Sequence, residues 1–125
     1  MAYKDLDINN TYLVTGAAGF IGFFLAMRLL EMGCRVIGID NLNNYYDIKL
    51  KQARLDNLKA FDKFTFIKSD ISDKPMIMDI FKKYKPDIVI NLAAQAGVRY
   101  SIENPDAYIK SNIIALLFIM FPPTF

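Results

Sequence analysis

The chain has 125 residues, of which 54% are hydrophobic and 22% charged, a balance that supports one packed domain and excludes a disordered tail. Fifteen Lys and Arg against thirteen Asp and Glu leave a formal charge of +2; the charges are scattered, so the basic footprint of a nucleic-acid binder is missing. With no histidine, His-dependent triads and His-ligated metals are excluded for the chain acting alone, and the single cysteine, Cys34, rules out an internal disulfide and fits a reducing compartment.

The opening residues, MAYKDLDINN, are polar and unlike a signal peptide. Tyr12 to Thr15 is a short β-rich run that leads straight into glycines. Phe20 to Met32 is dense enough in apolar residues for a buried helix, and Gly33 closes it as a C-terminal cap. Cys34 to Ile39 is the second strand, ending at Asp40, and Asn41 to Tyr46 is a polar and aromatic loop. From Asp47, the residues Ile48, Leu50, Ala53, Leu55 and Leu58 form an imperfect helical stripe, with Lys49, Lys51, Gln52 and Arg54 between them.

Phe64 to Ile67 is the third strand. Asp73 is placed to cap a helix carrying Pro75 in its first turn and running to about Tyr84. Pro86 ends that helix, and Asp87 to Leu92 is a fourth strand. Asn104-Pro105 opens a last helix that lasts until Pro122-Pro123. Its apolar run, Ile113 to Phe121, is shorter than the roughly 20 residues of a spanning helix. Strands alternating with helices predict an α/β fold with a parallel sheet, because each crossover must pack on a sheet face. A soluble cytoplasmic protein is expected.

The junction after the first strand is Thr15-Gly16-Ala17-Ala18-Gly19-Phe20-Ile21-Gly22. In the dinucleotide fingerprint the first glycine turns the chain sharply, the second admits a pyrophosphate to the backbone, and the third lets the helix pack close to the sheet. The spacing here is one residue longer than the common form. The following helix would aim its free N–H groups and the positive end of its dipole at the anion. Asp40 supplies the acid expected roughly 20 residues on, where a carboxylate accepts ribose hydroxyls; the alternative is a solvated turn residue. A carboxylate repels a 2′-phosphate, and no Lys or Arg follows it until Lys49, so NAD is favoured over NADP. Phe23 follows Gly22 where a P-loop would have lysine, which disfavours a nucleoside triphosphatase.

Three segments, TGAAGFIG at Thr15 to Gly22, IDNLNNYYD at Ile39 to Asp47 and NLAAQAGVRYS at Asn91 to Ser101, resemble an extended short-chain dehydrogenase/reductase. The resemblance is nearest to the UDP-glucuronate 4-epimerase group of NAD-dependent nucleotide-sugar epimerases and runs from about Asn10 to about Ile114. It implies a doubly wound Rossmann sheet, here with four strands in the order 3-2-1-4. It also implies that Gly16, Gly19, Phe20, Ile21 and Gly22 cradle the pyrophosphate and that Asp40 and Asn41 hold the adenine-side ribose. Asp70 and Ile71 would meet the adenine, though turn formation or helix capping also accounts for Asp70. Leu92, Ala93, Ala94 and Gln95 would line the nicotinamide side, with Asn112 organising the active centre. Arg99 would face the sugar nucleotide, or else form a surface salt bridge.

In that family NAD takes hydride from C4 of the hexose of a UDP-sugar, the 4-keto intermediate turns, and hydride returns to the other face. A tyrosine and lysine in a Y-x-x-x-K motif move the proton. They follow the fifth strand, and no residue here matches them. Tyr45 to Lys49 has the spacing, but it follows the second strand at the adenine end. Ser101 precedes the Asn112 helix, so it does not match the catalytic serine.

The resemblance therefore implies residues 1–114 as the N-terminal part of an NAD-binding domain of a UDP-glucuronate 4-epimerase, catalytically silent by itself, with a homodimer as the common family assembly. The alternatives are a non-catalytic NAD-sensing module and a Rossmann domain for another ligand. Residues 115–125 depart from the family as an apolar tail, expected from truncation or a frameshift, with a membrane-associating tail as the second reading. An uncovered fourth strand would then make the isolated chain poorly soluble.

Overall fold

A computed structural model of the chain describes residues 7–42 and 48–93. The expectations for Tyr45, Ala94, Gln95, Arg99, Ser101, Asn112, the last helix and the apolar tail lie outside the described residues.

Seven elements alternate: β1 (Thr11–Thr15), α1 (Phe20–Glu31), β2 (Arg35–Asp40), α2 (Ile48–Lys59), β3 (Phe64–Lys68), α3 (Lys74–Tyr84) and β4 (Ile88–Asn91). The strands form one sheet, parallel as their alternation with helices predicts and in the order β3-β2-β1-β4 that the family resemblance implies. Successive strand residues face opposite sides, and the core divides accordingly. Tyr12, Val14 and Val36 pack with Leu29 and Leu30 of α1 and with Leu55 and Leu58 of α2. Leu13, Ile37 and Ile39 pack on the other face with Ile77 and Ile80 of α3. Burying side chains of this size contributes roughly 1.5–3 kcal/mol each. Covered on both faces, β1 and β2 are apolar without alternation.

The helix ends follow local chemistry. Cys34 N–H donates to the Leu29 carbonyl at 3.0 Å and Gly33 N–H to the Leu30 carbonyl at 3.0 Å, the paired bonds of a glycine-terminated helix. Asp73 caps α3 by accepting from Met76 N–H at 3.3 Å, with Pro75 in the first turn. Lys85, in the left-handed region at φ 46°, ends α3, one residue ahead of the predicted stop at Pro86.

Two expectations about helices change. Only one face of α1 is buried, through Gly22, Ala26, Leu29 and Leu30, while Phe20, Ile21 and Phe24 are more than half exposed. On α2 the buried face is Lys51, Leu55 and Leu58, and Ile48, Leu50 and Ala53 are exposed. The four- and three-residue steps of that trio follow the helical repeat more closely than the predicted stripe does. Among the described strands β4 pairs with β1 alone, and its residues are half-buried or exposed. Among the described residues no helix is long and apolar enough to cross a membrane.

Cys34 is a buried free thiol beside the buried ring of Tyr12. Burial raises the titration of both groups above their ordinary values of 9.0 and 10.0; Cys34 and then Asp7 and Asp87 add to the rise in Tyr12, while Lys63 partly opposes it in Cys34. The fold thus favours both protonated forms. Their contribution is intact below the unfolded-state values and is lost as pH rises through the folded ones. Denaturation midpoints are expected to hold from pH 7 to about pH 9 and fall above it, with thiol labelling of Cys34 accelerating over the same range. Fast labelling of the folded chain at pH 7 would contradict this.

Candidate functional site

The site stands at the carboxyl ends of β1, β2 and β4, where neighbouring connections leave β1 for opposite faces of the sheet. Gly16 has a positive φ of 69°, and a Cβ built on it would lie 3.0 Å from the Leu92 carbonyl and the Ala93 nitrogen. The turn after β1 therefore lies directly on the chain leaving β4. Ala17 N–H ties it to the Ile39 carbonyl at 3.1 Å, and Gly19 N–H donates to the Gly16 carbonyl at 3.0 Å. From Gly19 the chain enters α1 with no side-chain capping bond and no acid in the first turn, so the positive end of the helix is left for an outside anion.

Gly22 serves a different neighbour from the one expected. A Cβ there would meet the Gly16 carbonyl oxygen at 2.0 Å and its carbon at 2.8 Å. It is the glycine turn, rather than the sheet, that needs the bare α-carbon.

Thr15, fully buried at the end of β1, holds the β4 side together. Its hydroxyl donates to Asn91 Oδ1 and accepts from Leu92 N–H at 3.0 Å and Ala93 N–H at 3.1 Å. Leu92 is exposed and Ala93 half-buried, and the backbone of these two of the four predicted nicotinamide-side residues adjoins the turn at Gly16.

Asp40 is 5% exposed and faces the turn. Its Oδ2 accepts from Ala18 N–H at 3.0 Å; its Oδ1 accepts from Leu42 N–H at 2.8 Å and from Lys51 Nζ at 3.3 Å. A carboxylate has about four acceptor positions. Among the described residues three are taken, which leaves one acceptor position on Oδ2. Lys51 is itself buried at 5%, and Arg54 of the same helix donates from Nη1 to the Ala18 carbonyl at 3.0 Å. Sequence reasoning missed both cations. The signal was present: Lys51 stands four and seven residues before two core leucines.

The adenine-side residues fare unevenly. Ser69 N–H reaches the Asp40 carbonyl at 3.2 Å, which brings the end of β3 to the site. Asp70 is exposed, and its Oδ1 accepts from Ser72 N–H at 2.9 Å and Ser72 Oγ at 2.7 Å, the turn-forming alternative. The side chain of Ile71 is buried in the core with Leu13 and Ile77, so only its backbone is left to meet a base. Phe20, Ile21 and Asn41 are exposed.

A family model for GDP-mannose 4,6 dehydratase matches residues 13–120. The chain belongs to the GDP-mannose 4,6 dehydratase family. Among curated relatives, the UDP-glucuronate 4-epimerase of Thermodesulfobacterium geofontis is 49% identical over 106 residues, covering 85% of this chain and 33% of that protein. The structure of UDP-glucuronic acid 4-epimerase from Bacillus cereus, in complex with UDP-glucuronic acid and NAD, superposes with a TM-score of 0.75 at 34% identity, covering 84% of this chain and 33% of that one. UDP-glucose 4-epimerase from Thermotoga maritima, with UDP-glucose, gives 0.75 at 35% identity over 88% and 32%. The chain spans about a third of the length of the curated relatives it matches. The stretch assigned to the GDP-mannose 4,6 dehydratase family contains the glycine turn, Thr15, Asp40, Lys51 and Leu92–Ala93. The resemblance to nucleotide-sugar epimerases and the 3-2-1-4 Rossmann sheet both hold.

Proposed function

We propose that this chain is the NAD-binding part of a nucleotide-sugar 4-epimerase of the UDP-glucuronate type. One observation carries the reading: the buried carboxylate at the end of β2 faces the glycine turn, its Oδ2 bound to Ala18 N–H at 3.0 Å and still able to accept a ribose hydroxyl. The turn fits a pyrophosphate, because Gly16, Gly19 and Gly22 put no side chain over it and α1 begins uncapped. When bound, the dinucleotide supplies reversible hydride acceptance. Gly16 to Gly22 would hold the diphosphate, Asp40 and Asn41 the adenine-side ribose, and the backbone of Asp70 and Ile71 the base. Leu92 and Ala93 begin the wall on the opposite side. That wall is fixed by Thr15, whose hydroxyl sets the path of the chain leaving β4. Ala94, Gln95, Arg99 and Asn112 extend the proposal towards the sugar nucleotide. The UDP-glucuronate and NAD in the Bacillus cereus structure support the choice of ligands.

No Tyr–Lys pair of this sequence matches the proton-transfer pair of the family, so the 125 residues are expected to bind NAD without epimerising UDP-glucuronate. The chain contains no tryptophan, which leaves NADH emission undisturbed by indole. Titration with NADH should show saturable fluorescence enhancement, and NAD should raise the melting temperature. Asp40→Ala should abolish both responses. A wild-type chain that gives neither response overturns the proposal.

A further inference from the structure

We propose that Arg54 is a positioning residue for the diphosphate: by holding the Ala18 carbonyl it keeps that oxygen from capping α1, and so leaves the Gly22 amide for the ligand. The inference rests on the dinucleotide reading above and concerns what keeps the glycine turn open.

The helical ladder shows where the competition lies. With Gly19 at the N-cap, the first bond of α1 runs from Phe23 N–H to the Gly19 carbonyl at 2.9 Å. One step earlier, the same four-residue pattern would pair Gly22 N–H with the Ala18 carbonyl. That bond is not made. The Ala18 carbonyl accepts instead from Arg54 Nη1 at 3.0 Å. Among the described residues the amides of Phe20, Ile21 and Gly22 have no acceptor, although Gly22 is buried. A native fold rarely leaves a buried donor unpaired, and an oxyanion at the start of α1 is the partner these amides suit.

The peptide group between Ala18 and Gly19 is held at both ends. Arg54 takes its carbonyl, and its N–H, that of Gly19, donates to the Gly16 carbonyl at 3.0 Å. The guanidinium bond is the charge-assisted one and the stronger; the other joins two glycines, whose backbones turn easily. Arg54 is half-buried, and among the described residues it forms no salt bridge. A surface ion pair therefore does not account for its placement. Without the guanidinium, the Ala18 carbonyl can turn to Gly22 N–H and complete the ladder, closing the turn with the protein's own oxygen.

The test measures NAD binding to the full 125-residue chain by calorimetry, and hydrogen exchange of the Gly22 amide without ligand, in wild type, Arg54→Met and Arg54→Lys. Arg54→Met should weaken NAD binding by on the order of tenfold. It should also slow exchange at Gly22, because the released carbonyl takes the amide. Arg54→Lys keeps a charged donor and should return both readings towards wild type. Unchanged affinity in Arg54→Met overturns the proposal. So does weaker binding with Gly22 exchange unaltered, the mark of a merely structural role. If Arg54→Met does not fold, Arg54→Lys decides: wild-type exchange and affinity support the proposal, whereas a slowed Gly22 amide or lost binding overturns it. A wild-type chain that binds no NAD defeats the dinucleotide reading itself, whereas wild-type binding that Arg54→Met matches defeats only the role given to Arg54.

Discussion

Gly22→Ala is expected to destabilise the fold by about 3 kcal/mol or more, at the upper end of the cost of overpacking, and to remove NAD binding. The sign makes this a sharp test. In an ordinary helix interior, alanine is better than glycine by roughly 1 kcal/mol. Here the added methyl would lie 2.0 Å from the Gly16 carbonyl oxygen and 3.2 Å from the Ala17 α-carbon. Neither neighbour is a flexible side chain that could swing aside, so either α1 lifts from the turn or the turn moves. Gly16 is itself against the backbone of Leu92 and Ala93, so the turn has little room to retreat. Equilibrium denaturation, with NADH titration alongside, measures both effects. A variant as stable as wild type would show that the close approach of α1 to the turn is wrong.

Breaking the Asp40–Lys51 pair from either side should cost about 3–5 kcal/mol, whereas replacing both partners by apolar residues should cost far less. Asp40→Leu should be the worse single change. It strips a buried ammonium of its carboxylate and also leaves the Ala18 and Leu42 amides without their acceptor, at about 1–3 kcal/mol for each group left unsatisfied. Lys51→Met leaves the carboxylate with both amides. Asp40→Leu/Lys51→Met should recover much of the loss while still failing to bind NAD. A double-mutant cycle by chemical denaturation gives the coupling directly. Additive single costs would mean that the pair contributes no coupling, despite the 3.3 Å contact. Loss of either change is large against a total stability of about 5–15 kcal/mol.

The sheet was legible because its information is local. Each strand is a short apolar run bounded by glycine, acid or proline, and Asp73 and Gly33 mark helix ends by chemistry that acts within a few residues. Asp40 was legible for the same reason, since its distance from the glycines is set by one helix and one strand. Lys51 was not. A lysine among Lys49, Gln52 and Arg54 resembles solvated surface, and its burial depends on how α2 leans on the turn, a tertiary fact. The stripe through Ile48 and Leu50 failed likewise, because hydrophobicity at the start of α2 outweighed the better spacing of Lys51, Leu55 and Leu58. The neighbour of Gly22 is the glycine turn, which spacing does not name, because spacing shows only that a close approach is needed. Ile71 shows the same limit: its neighbours in sequence suggest a ligand, while the side chain belongs to the core.

The Thr15 hydroxyl joins residues 76 to 78 positions apart in the chain. Contacts of that range form late, since loop-closure entropy must be spent before they return anything. During synthesis the glycine turn will have been made long before its floor exists, because Leu92 and Ala93 have yet to be added. Until they arrive, a nascent chain lacks the bonds from Leu92 and Ala93 to Thr15 that support its first βα junction. On the proposed function, dinucleotide capture would therefore be a late event in the life of the polypeptide, and would serve as a reporter that the fourth strand has docked.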